Sequence, residues 1–159
     1  MSALAALASV LRLNTRLFLN CLEDVTNGKA RERPNTLTNN LAFLGCHLVD
    51  SRHFLAAQLG LNEVNPFADQ LRSVERIEQM ESFPSITDIR AAWRSLAPVF
   101  EECVKSLTPS ELRVPSRPRF PVDDPSVGGM LAFLVQHESY HIGQMALIRK
   151  YIGYPAMKY

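Results

Sequence analysis

Four stretches of this chain repeat their apolar residues with the spacing of a helix, and none alternates with the period of two that a strand requires. The first runs from about Ala3 to Asn27. Its positions Leu4, Leu7, Leu11, Asn14, Phe18, Cys21 and Val25 form one seam, interrupted only by Asn14, and Gly28 ends it. The second follows Pro34 and Asn35, from about Thr36 to Leu59, with Leu37, Leu41, Leu44, Leu48 and Leu55 as its stripe and Gly60 as its stop. Pro84 precedes the third, where Ser85 is the N-cap and Asp88 stands in the capping-box position. Ile86, Ile89, Trp93, Leu96, Phe100, Cys103 and Leu107 line its apolar side. The fourth starts near Ser126 and reaches about Ile152, before Gly153 and Pro155.

Four long helices with one apolar stripe each can satisfy one another only by packing together, so residues 1–159 are predicted to form a single all-α domain, a four-helix bundle. The short link from Gly28 to Asn35 suits an antiparallel first pair. The link from Gly60 to Pro84 is long enough to run back along the bundle, which permits helices two and three to be parallel; Leu71, Val74 and Ile77 suggest a short extra helix within it.

Composition narrows the partners. Seventeen basic against sixteen acidic residues leave a net charge of +1, which gives no long-range pull toward nucleic acid or an anionic membrane. Arg113, Arg117 and Arg119 cluster in a proline-containing stretch that reads as a solvated loop. Cys21, Cys46 and Cys103 are odd in number and widely spaced, so they form no disulfide framework and fit a reducing cytosol. The apolar N-terminus lacks a basic leader, and Arg12 and Arg16 interrupt it. No segment approaches the roughly 20 apolar residues of a membrane span, and a cytoplasmic protein is expected.

The chemistry lies where the fourth stripe turns polar. Val127, Met130, Leu134, His137, His141, Gln144, Ile148 and Tyr151 follow one another along it. A buried polar group without a partner costs about 1–3 kcal/mol, so two imidazoles and an amide in succession call for a ligand. His137 and His141 are four residues apart, about 40° around a helix and ~6 Å along it, and both rings can reach one metal ion. A third ligand must come from His47 or His53. His47 lies between Leu44 and Leu48 on the inner side of helix two, at mid-height, whereas His53 lies about 120° further round, beside Arg52, and reads as solvated or at the boundary. His47, His137 and His141 are therefore the expected metal ligands.

Two other patterns compete for the same residues. His137-Glu138-Ser139-Tyr140-His141 matches the H-E-x-x-H string in which a glutamate is the general base of a zinc protease. No Asp, Glu or His follows His141 to complete such a site, and no strand edge is available to align a peptide. Glu138 and His141, with Asp50 and His53, resemble half of a di-iron bundle, but the two further carboxylates are missing at that height. Glu138 keeps a possible role as base for a bound water, or faces solvent one position off the seam.

The segment LGCHLVDSRHFL around His47 and the string HESYHIGQMALIRKYIGYP, with a looser match around Asn14, resemble the DinB/YfiT-like superfamily of metal-dependent helical bundles. The resemblance spans nearly the whole chain. It implies an up-down-down-up bundle and, position by position, His47, His137 and His141 as a metal triad. Some branches of that family transfer a low-molecular-weight thiol such as bacillithiol to electrophiles, and one isomerises maleylpyruvate with mycothiol. The resemblance thus implies a metal-dependent thiol transferase or hydrolase, with a non-catalytic metal- or small-molecule-binding bundle as the alternative.

Three imidazoles with an open position make a catalytic type of site, and zinc and nickel both suit such ligands. Glu138 and Gln144 are the expected catalytic side chains, Gln144 by bonding a bound water or a substrate oxygen. Asp50, one turn from His47, is expected to orient that ring. Asn14 either faces the cavity or is a buried amide that sets the register, and the same two readings hold for Gln144. The expected partners are a small-molecule substrate and a second copy of the chain, with neither nucleic acid nor membrane.

Overall fold

The computed structural model describes residues 3–159. Among them the chain is all-helical, with no strand and one isolated bridge between Pro115 and Ser126. Seven helices follow in order: α1 (Ala3–Cys21), α2 (Asn27–Ala30), α3 (Leu41–Gln58), α4 (Ala68–Leu71), α5 (Ile86–Ser106), α6 (Pro109–Leu112) and α7 (Val127–Tyr151). The four long ones, α1, α3, α5 and α7, share one interior. Helix α1 packs on α5 and α7, and α3 packs on the same two.

Local chemistry sets most boundaries. Ser85 caps α5 by accepting from the Asp88 amide, and Ser126 caps α7 by accepting from the Gly129 amide. Gly129 has a steric reason as well: a Cβ there would lie 2.0 Å from the Asp124 carbonyl oxygen, so only glycine lets the preceding loop close onto the helix.

Two expected boundaries are wrong. Helix α1 stops at Cys21 instead of Asn27, because Asp24 takes a left-handed φ of 59° and turns the chain. Gly28 ends nothing; it lies inside α2, which Thr26 caps. The second long helix begins at Leu41, where Asn40 accepts from the Phe43 amide, and Leu37, read as part of its stripe, is 95% exposed.

The interior has two apolar regions. One gathers Phe18, Leu44, Trp93, Ile142 and Met145, with Phe18 stacked on Trp93 at 4.1 Å between ring centres. The other gathers Leu11, Leu55, Phe100, Met130 and Leu134. Each such side chain contributes about 1.5–3 kcal/mol by leaving water. A polar band crosses α1, α3 and α7 at the intermediate height, and the candidate site sits in it.

Candidate metal centre

Helix α3 contributes His47, and α7 contributes His137 and His141 from successive turns. One ring nitrogen from each of the three lies within 4.8 Å of the others. His47 Nε2 and His137 Nε2 are 3.0 Å apart, and the three rings meet edge to face with centres 4.5–5.0 Å apart. His141 Nδ1 donates to Gln144 Oε1 at 2.8 Å, which leaves the lone pair on His141 Nε2. Gln144 in turn donates to the Tyr140 hydroxyl at 3.1 Å, so a chain of hydrogen bonds fixes the ring from outside.

Burial, reinforced by the neighbouring imidazoles, pushes His47 and His137 down to about 4, and burial lowers His141 against the opposing pull of Gln144. All three rings are thus neutral at pH 7 and offer lone pairs. Two facing ring nitrogens at 3.0 Å need either a shared proton or a cation between them. The donor set fits a divalent ion with imidazole affinity, and the cluster can hold one.

The other expected site residues lie elsewhere. Glu138 neither serves this cluster nor faces solvent. It is fully buried, and Arg52 grips it with Nε to Oε1 and Nη2 to Oε2, both at 2.7 Å. Arg52 also donates to Thr15 Oγ1 at 3.0 Å and stacks 3.4 Å over the Trp93 ring. Asn14 is buried in the same network, donating to the Val135 carbonyl and toward Glu138, and accepting from Ser139. It ties α1 to α7 and does not reach the histidines. Asp50 does not orient His47; it accepts from Asn65 at 2.6 Å. His53 is not solvated but only 8% exposed, with Nδ1 donating to the Val49 carbonyl at 2.9 Å. It lies outside the cluster, as the sequence suggested.

Arg52 is the residue that sequence reasoning missed. It falls on the stripe through Leu41, Leu48 and Leu55, and Glu138 is its complement on α7. A charge on each of two facing stripes is the signal that would have found the pair. The charge-paired Glu138 takes the centre of the α7 interior face, and the histidines flank it on the side toward α3.

A cavity of about 440 Å³ opens beside His137. Phe133 stacks on that ring at 5.7 Å and Phe120 packs on Phe133 at 5.1 Å, so an aromatic wall leads to the histidine cluster. None of the three cysteines lines the cavity. Cys21 and Cys46 are buried, with thiols pushed up to about 12, and Cys103 is half-buried.

Fold and site together define a class: helical proteins with a three-histidine cluster compatible with a metal ion. The family model of the DinB superfamily matches residues 11–145, and the chain belongs to that superfamily. No curated protein matches it. Among solved structures it is similar to one described as the conserved protein of a locus from Enterococcus faecalis, at 13% identity and a TM-score of 0.67. That likeness covers 96% of this chain and 98% of the other, and at such identity it speaks for the fold alone. No described helix is long and apolar enough to cross a membrane.

Proposed function

We propose that His47, His137 and His141 hold one divalent ion, zinc or nickel, and that the chain is a metal-dependent enzyme acting on small molecules, a low-molecular-weight thiol S-transferase or a hydrolase. The observation that carries this is the convergence of three neutral imidazoles beside a cavity of about 440 Å³.

The frame of the site is proposed to be an up-down-down-up four-helix bundle. Asn14 meets Val135 and Cys21 meets Ile142, which supports parallel α1 and α7. Gly45 lies against Ile89 and Arg52 against Trp93, which supports parallel α3 and α5. His47 faces His141 while Arg52 faces Glu138, which supports antiparallel α3 and α7.

When bound, the ion would supply positive charge that favours the deprotonated form of a thiol or water as nucleophile. The chain's own residues do the positioning. Gln144 holds His141 in the tautomer that keeps Nε2 as the ligating atom, and Tyr140 holds Gln144. Phe120 and Phe133 keep bulk water from one side of His137. Glu138 and Arg52 lock α7 to α3 one turn away, fixing the spacing between His47 and His137. No cysteine supplies a nucleophile, since burial holds each thiol above its ordinary range.

The test is a screen of thiols, glutathione and bacillithiol among them, against a fluorogenic alkylating electrophile, with a parallel screen of ester and amide hydrolysis. A metal-dependent rate is expected that His137→Ala abolishes and that replacement of all three cysteines by serine leaves intact. Rates only in the hydrolysis arm would assign a hydrolase. No metal-dependent rate in either arm would overturn the enzymatic reading.

A further inference from the structure

The face of the bundle made by α1 and α5 carries charge that no described ion pair takes up. Arg12 and Arg16 stand four residues apart on α1, and Arg90 and Arg94 four apart on α5. That spacing puts each pair on one side of its helix, where like charges repel. All four arginines line a single groove of about 480 Å³ between the two helices. Glu23 and Glu101 are its acidic residues, so four positive charges face two negative ones and the groove keeps an excess of two. The whole chain has a net charge of only +1, so everything outside the groove is net negative.

The two acids do not pair with the arginines. Among the described residues none of the four arginines makes an ion pair or a side-chain hydrogen bond. Glu101 Oε1 lies 3.0 Å from the Thr15 hydroxyl instead, and Glu23 is exposed. Arg90 supplies an independent observation: its Nε is buried and has no hydrogen-bond partner. A buried donor without an acceptor costs free energy unless a ligand or water supplies one. A solvated basic face would leave every such donor in water. The arginines are also carried on packed helices, since Trp93 Nε1 donates to the Thr15 carbonyl at 3.1 Å and holds α5 against α1.

We propose that the groove between α1 and α5 binds a small phosphate monoester in its dianionic form. Such a group carries about −1.5 to −2 charge at pH 7 and three strongly accepting oxygens, which match the excess of charge and the unpaired donors. Guanidinium forks meet phosphate oxygens through two parallel N–H bonds, and forks from two helices can hold one phosphoryl group from both sides. A carboxylate or a phosphate diester brings a single negative charge and leaves half of the excess in place. Leu19 is the one apolar side chain of the lining, so the phosphoryl group and not the organic remainder carries the recognition. The groove shares no lining residue with the cavity beside His137, and the assignment stands apart from the metal reading.

The experiment uses the full purified chain after chelation, so that no metal ion can hold the phosphate. Glycerol phosphate, dimethyl phosphate and acetate are titrated by calorimetry at low salt, where charge recognition is least screened. Glycerol phosphate is expected to saturate and to bind roughly tenfold more tightly than dimethyl phosphate, with acetate weaker still. Arg16→Gln and Arg90→Gln should each weaken it about tenfold, and Arg113→Gln, outside the groove, should not. Glu23→Gln should tighten it about twofold, a gain that a misfolded variant cannot produce. His141→Ala should bind it as wild type does. No saturable binding, or affinity unchanged in both groove variants, would overturn the assignment. A diester bound as tightly as the monoester would overturn it too, in favour of a lipid or nucleic-acid backbone.

Discussion

Glu138 stands between His137 and His141, the two histidines that α7 contributes to the cluster, yet the structure gives it a partner on α3 instead of a reacting atom. Replacing it with leucine would strand Arg52, whose side chain is fully buried. Breaking a buried pair from one side costs about 3–5 kcal/mol, because a charge is left without compensation. The stacking on Trp93 and the bond to Thr15 remain, so the lower half of that range is expected. For a chain of this size such a loss lowers Tm by roughly 6–16 °C. The double variant Arg52→Leu with Glu138→Leu removes both charges and should recover much of the loss, since apolar pairs of similar volume often replace buried ion pairs without penalty. Urea titration of chelated protein, followed by circular dichroism, isolates this effect from any metal contribution. Glu138→Gln should be destabilised yet keep its metal. A Glu138→Gln protein of wild-type stability that had lost its metal would refute the reasoning and return the residue to the metal centre.

The remaining predictions concern protons, thiols and the ion. His47 and His137 titrate near 4 in the folded chain against 6.5 unfolded, so the unfolded state binds more protons between those values and stability rises with pH across that window. Chelated protein should therefore lose stability as pH falls from about 6.5 toward about 4, and His47→Ala should flatten the profile; urea midpoints at several pH values check this, and identical profiles would contradict it. Cys21 and Cys46 should resist a thiol reagent at neutral pH until the chain unfolds, while half-buried Cys103 reacts first; rapid labelling of all three by mass spectrometry would refute the burial of the first two. A metal that binds only the folded state at a hundredfold excess over its Kd adds about 2.7 kcal/mol, so a chelator should lower Tm by roughly 5–11 °C; coincident melts would count against an occupied site.

The parts of the fold legible in the sequence are those where periodicity and capping agree. Helix α5 runs from the cap at Ser85 as the pattern indicates, and α7 starts at the cap at Ser126. Boundaries failed where an apolar residue continued the period past the true end. Val25 stays buried beyond the end of α1 because the turn at Asp24 folds it back, and Leu37 continues a stripe in sequence while projecting into solvent. The histidine triad was readable because only four histidines exist and their helical angles separate them. Its surroundings were not, because hydrophobic periodicity cannot register a charge that is buried by virtue of its partner. Periodicity puts Glu138 one position off the seam of His137 and His141, and His53 about 120° round from His47 beside Arg52, in solvent or at the boundary. Both are interior, and the single contact between Arg52 and Glu138 explains the first directly.

The most direct test of the account is elemental analysis of protein made without a polyhistidine tag, across wild type and the variants His47→Ala, His137→Ala, His141→Ala and His53→Ala. Convergence of the first three imidazoles predicts about one divalent ion per chain in wild type and in His53→Ala, and a large loss in each of the other three. Metal content undiminished in all three triad variants, or abolished by His53→Ala, would contradict it.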